Sequence, residues 1–138
     1  MTKQFTHHVI VPVANEEDAA ATAALLEPYE FERISVVHVV EKGEGVPDKT
    51  PVEQSEQVAA AAFETFRETF PDAETETVYR RDIIKGTLEV AEAVDASAIA
   101  FRPRGGSRLV QWLSGDRSLR LITEADRPVI SIPEAGDT

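Results

Sequence analysis

The run Ile34-Ser-Val-Val-His-Val-Val40 restricts the fold more than any other part of this chain. Apolar, mostly β-branched side chains stand at nearly every position, so a strand here cannot hide them all on one face. Such a strand needs cover above and below, which in practice means helices on both faces of a sheet. Shorter runs of the same kind occur at Val9–Val13, Ala98–Phe101 and Val129–Ile132, with a weaker alternation at Thr75–Tyr79.

Helical patterns fill the intervals. Asn15 can cap a first helix with Asp18 near its positive end; Ala19, Ala20, Ala23, Ala24 and Leu25-Leu26 give it a thin apolar face, and Pro28 stops it. After a polar loop with two glycines, Thr50 and Glu53 form a capping box with Pro51 at the first helical position. Ala59, Phe63, Phe66 and Phe70 then recur at helical spacing until Pro71-Asp72. Asp82 can cap a third helix with Ile84, Leu88, Ala91 and Val94 inward, although Gly86 within it costs about 1 kcal/mol relative to Ala. Leu109, Val110, Leu113, Leu119 and Leu121-Ile122 supply a fourth apolar face, broken near Gly115.

Strand and helix therefore alternate with no hairpin signal. Parallel strands need crossover helices, and those crossovers are right-handed. The expected fold is α/β: a three-layer α/β/α sandwich around a five-stranded, parallel, doubly wound, Rossmann-like sheet, in one domain spanning 1–138.

Charge narrows the partners. With 25 acidic against 14 basic residues the formal net charge is −11, which repels nucleic acid and anionic membrane at long range. Lysine is scarce (Lys3, Lys42, Lys49 and Lys85), a balance that fits a high-salt cytoplasm where screening relieves self-repulsion. No cysteine occurs, which excludes disulfides and thiolate metal sites. No apolar run approaches the ~20 residues of a membrane span, and the start has no signal-peptide core, so a cytoplasmic location is expected.

Few residues offer catalysis. His7, His8 and His38 are the histidines; neighbours on a strand point to opposite faces, and His38 among valines reads as a neutral core residue, so no metal site is indicated. Ser107, Ser114 and Ser118 lack a nucleophile-elbow pattern, and no histidine follows residue 38 to complete a hydrolase order. The expected set of catalytic residues is empty.

Anion binding has better support. A strand that ends in glycines and leads into a helix presents free backbone N–H groups, and Phe101 runs into Arg102, Arg104, Gly105-Gly106, Ser107 and Arg108. Guanidinium groups add bidentate contacts to a phosphate. The alternative is that these arginines pair with surface carboxylates while the glycines only turn the chain. Val13-Ala14, after the first strand, is the amino-terminal counterpart of this turn. Trp112 beyond it reads as a core or interface aromatic, the alternative being a lid or stacking group over the turn.

Val9-Ile-Val-Pro-Val13, His38-Val-Val, Arg104-Gly-Gly-Ser-Arg-Leu-Val-Gln-Trp-Leu-Ser-Gly115 and Arg127-Pro-Val-Ile-Ser-Ile together resemble the universal stress protein family. The resemblance covers almost the whole chain. It implies the same α/β/α order, a homodimer, and membership in a family with nucleotide-binding and non-binding groups. Nucleotide binders in that family look like Gly-x-x-Gly, nine residues, then Gly-Ser/Thr around the ATP phosphates. Carried over, those positions fall on Arg102, Gly105, Gly115 and Asp116, so the first glycine and the hydroxyl residue are replaced. The family's acidic residue after the first strand, an adenosine contact, falls on Ala14.

Taken with the acid-rich, lysine-poor composition, the resemblance implies a haloarchaeal-type member with a degenerate ATP motif. Its expected role is non-enzymatic stress response or regulation, with weak or no ATP binding and no cofactor, through a ligand or a protein partner. The competing expectation is an ATP/AMP-binding switch, slowly hydrolysing at most, that holds ATP with Mg at the 102–116 loop. The last strand would pair across a two-fold axis, with Val129, Ile130 and Ile132 at the dimer interface.

Overall fold

A computed structural model describes residues 3–41, 52–103 and 115–133. The elements run β1 (Val9–Pro12), α1 (Glu16–Leu26), β2 (Ile34–Glu41), α2 (Val52–Thr69), β3 (Glu74–Arg80), α3 (Ile83–Ala93), β4 (Ala98–Phe101), α4 (Gly115–Glu124) and β5 (Val129–Ser131). All pairings are parallel and the sheet order is β3-β2-β1-β4-β5, as the alternating pattern requires. The capping box at Thr50 and Pro51, the apolar residues Leu109, Val110 and Leu113, and Trp112 lie outside the described residues.

Strand pleating divides the core in two. Val9, Val11, Val13 and Val36 face α1 and α2, where they meet Ala19, Ala23, Leu26, Ala62 and Phe66. Ile10, Val37, Val39, Ile99 and Phe101 face α3 and α4, against Ile83, Ile84, Val90, Ala91 and Leu121. Full burial of a side chain such as Phe66 stabilises by about 1.5–3 kcal/mol, and its ring also stacks on Phe70 with centroids 5.3 Å apart. Alanines on α1 let that helix lie close to the sheet beside the bulkier α2.

Two caps form as the sequence predicts. Asn15 accepts the Asp18 N–H at 2.8 Å, and Asp82 accepts the Ile84 and Lys85 N–H groups at 3.0 and 3.2 Å. Asp82 also receives Arg120 of α4 at 2.8 and 3.3 Å, which fastens α4 to the start of α3. That guanidinium holds the Asp82 carboxyl below the usual carboxylate range. Gly86 is explained by packing: a Cβ there would stand 3.0 Å from Val39 Cγ1 and 3.0 Å from Arg80 Cγ. Among the described residues no helix is long and apolar enough to cross a membrane.

The strand order reverses between β1 and β4. The chain leaves these neighbours in opposite directions, which opens a crevice beyond their carboxyl ends. Residues 13–14 and 102–103 flank it.

Candidate functional site

The turn after β1 is built around one peptide group. The Val13 carbonyl accepts from His38 Nδ1 at 3.1 Å, and the Ala14 N–H of the same peptide donates to Asp18 Oδ2 at 2.9 Å. A carbonyl can only accept, so Nδ1 of His38 carries the proton. Burial pushes the His38 pKa down, opposed by its bond to Val13, and the ring is a neutral core histidine as expected.

From the other side comes Arg102, the first residue after β4. Its Nη2 donates to Asp18 Oδ1 at 2.8 Å and its Nε lies 3.4 Å from the Thr22 hydroxyl. Arg102 is 2% exposed and Asp18 7%. Taking either charge from water alone would cost several kcal/mol, so each requires the other and further hydrogen bonds. A continuous chain of contacts results, from the His38 imidazole through the Val13–Ala14 peptide to the Asp18 carboxylate and the Arg102 guanidinium. It spans the reversal point of the sheet.

The structure thus brings Val13, Ala14 and Arg102 to one crevice. Arg102 turns inward to Asp18, with its guanidinium enclosed by the protein. Gly115 and Asp116 begin the first turn of α4, while Arg104, Gly105, Gly106, Ser107 and Arg108 lie outside the described residues. At the sheet edge, Val129 and Ile130 are half-buried and Ile132 is buried, with Ile130 and Ile132 packed into the α1/α2-side core. The backbone of β5 is what faces outward: Pro128 O and Ile132 N bond to β4, so the N–H and C=O groups of Val129 and Ser131 point away from it.

Asp18 is more than the helix-end charge that its place after Asn15 suggests. Its signal was positional: residues 18, 22 and 26 recur every four along α1, which places an acid on the helix's buried stripe. A carboxylate there demands a buried partner.

The remaining histidines sit in the bend just before β1 and differ in exposure. His7 is exposed against Glu32, whereas His8 is buried with Nε2 2.8 Å from the Ser35 hydroxyl. Burial lowers the His8 pKa most, then Arg33; Glu74 and the Val94 carbonyl oppose the shift and His7 adds to it. Among the described residues no cluster of three or more histidine or carboxylate groups has a metal-binding arrangement. A separate groove of about 250 Å³ between α3 and α4 is lined by Lys85, Leu88, Glu89, Glu92, Glu124 and Asp126. Three of its carboxylates already pair with Arg80, Arg120 and Arg127.

Comparison with known proteins agrees with this architecture. The chain is similar in structure to a universal stress protein from Archaeoglobus fulgidus (21% identity, 91% of this chain and 98% of that one, TM-score 0.66). It is also similar to the structure of a universal stress protein from Archaeoglobus fulgidus in complex with dAMP (20% identity, 94% and 99%, TM-score 0.64). Universal stress protein UspA from Lactobacillus plantarum is similar to the same degree (20% identity, 94% and 99%, TM-score 0.64). No curated protein sequence matches the chain. The sequence model of the universal stress protein family matches residues 6–133, and the chain belongs to that family.

Proposed function

We propose that this protein is a non-enzymatic stress-response or regulatory member of its family, dimeric and cytoplasmic, with weak or no affinity for ATP. The observation that carries this reading is the Arg102–Asp18 ion pair. The Arg102 guanidinium and the Ala14 N–H both donate to an internal carboxylate, and Arg102 puts a long side chain where nucleotide binders have glycine. In the sequence, Asp116 stands where those proteins carry a hydroxyl residue, and a carboxylate is repelled by phosphate. The protein acts, on this reading, by binding a protein partner or a ligand other than a triphosphate, and the high acidity adapts it to a saline interior.

A second reading, an ATP- or AMP-binding switch that uses Mg, draws on the solved relative that carries dAMP. Isothermal titration of the purified protein with ATP, AMP and dAMP, with and without Mg, separates the two. Binding absent or weaker than millimolar is expected for ATP; micromolar ATP affinity overturns the first reading.

A further inference from the structure

We propose that the Asp18 carboxylate is a built-in anion: it fills an anion-binding position at the strand-reversal crevice and is the residue that excludes phosphate-bearing ligands. The inference rests on the ligand-poor reading above and supplies its cause. Three kinds of group that favour an external anion meet at this carboxylate. They are a backbone N–H at a strand-to-helix turn (Ala14, 2.9 Å), a nearly buried guanidinium (Arg102, 2.8 Å) and the positive end of an 11-residue helix. Thr22 steadies the guanidinium from one turn further along α1, and His38 holds the peptide whose N–H points at Asp18.

An anion tethered in this way has a high effective concentration, so a free phosphate must displace a partner that cannot diffuse away. The arrangement differs from an ordinary buried ion pair in one consequence. Removing the acid from a purely structural pair only takes one carboxylate away from the arginine. Removing it from an occupied anion position leaves a vacancy that dissolved anions can fill.

The experiment compares wild type, Asp18→Ala and the double variant Asp18→Ala/Arg102→Met, probed with acetate, inorganic phosphate and tripolyphosphate. Thermal melting and titration calorimetry are the readouts. Asp18→Ala alone is expected to be destabilised, and millimolar acetate or phosphate is expected to raise its melting temperature while barely moving that of wild type. Tripolyphosphate is expected to bind Asp18→Ala about tenfold to hundredfold more tightly than wild type, the range of a charge-assisted contact, and the double variant is expected to lose that gain. If Asp18→Ala unfolds in dilute buffer, refolding on addition of phosphate supports the proposal. Failure to refold at any anion concentration overturns it. So does a folded Asp18→Ala with wild-type anion affinity, or a gain that survives in the double variant. Tight ATP binding by wild type would refute the ligand-poor reading while leaving the ratio between variant and wild type to decide this one.

Discussion

Arg127 Nη1 donates to the Ala91 carbonyl at 2.9 Å, reaching from the turn before β5 back to the end of α3. The same atom donates to the Ala96 carbonyl at 3.0 Å. Ala91 also accepts the Ala96 N–H at 2.9 Å, while the Asp95 N–H reaches Glu92 at 3.1 Å. These two backbone bonds form a Schellman closure, and the guanidinium adds positive charge where the helix end is negative. The arginine of the Arg-Pro-Val segment is therefore a helix clamp joining α3 to the last strand.

That closure places Asp95 at φ 53, in the left-handed region that suits glycine. Asp95→Gly is expected to stabilise the protein by about 0.5–1 kcal/mol, read as a higher urea midpoint with unchanged slope. A lower midpoint would show that the aspartate side chain contributes more than its strained backbone costs.

Gly86→Ala should act in the opposite direction. Helix propensity favours alanine by about 1 kcal/mol, but the new methyl meets Val39 Cγ1 on the stiff side of a buried strand. Overpacking of this kind costs about 1–3 kcal/mol, so a net loss near 1 kcal/mol is expected in equilibrium denaturation. Unchanged or improved stability would mean that α3 shifts off the sheet without penalty.

His8 and His38 both have pKa values lowered in the folded protein below the ordinary 6.5, chiefly by burial. The unfolded chain then binds more protons than the folded one just below that pH, so stability rises with pH through this window. The neutral-histidine contribution is complete above 6.5 and lost as pH falls toward the folded values. Urea midpoints measured at about pH 7.5 and about pH 5.5 should show this drop, and His8→Gln and His38→Gln should each flatten it. A slope unaffected by either variant would assign the pH dependence to carboxylates.

Dimer formation has a backbone test. The Ser131 N–H points away from β4, so Ser131→Pro deletes an outward donor while leaving the bonds from β5 to β4 in place. In sedimentation equilibrium the wild type is expected to be dimeric and Ser131→Pro to dissociate at least about tenfold more readily. A monomeric wild type, or a variant with equal dimer affinity, would remove the last strand from the assembly.

The sheet was legible because its strands are written as short apolar runs, and Asn15 and Asp82 announce their helices locally. The opposed facing of His7 and His8 was legible from their adjacency, but which of them is buried was not, and they lie in the bend before β1 rather than on the strand. Ile130 and Ile132, which read as interface residues, also contribute to the protein's own core. Hidden altogether was the partner of Arg102, which is 84 residues away in sequence, and no local pattern records a contact that only the completed sheet creates. The same holds for Arg127, whose targets are carbonyls and so leave no trace in residue type.

The peptide between Val13 and Ala14 is gripped at both ends, by an imidazole on its oxygen and a carboxylate on its hydrogen. Its plane cannot turn without breaking both bonds at once. Whatever draws Asp18 aside therefore loosens the carbonyl held by His38, and the event is transmitted through a single amide to the neighbouring strand. The His38 ring, with its proton fixed on Nδ1, becomes a natural spectroscopic witness: its imidazole nitrogen resonances would register a visitor to the crevice that never touches it.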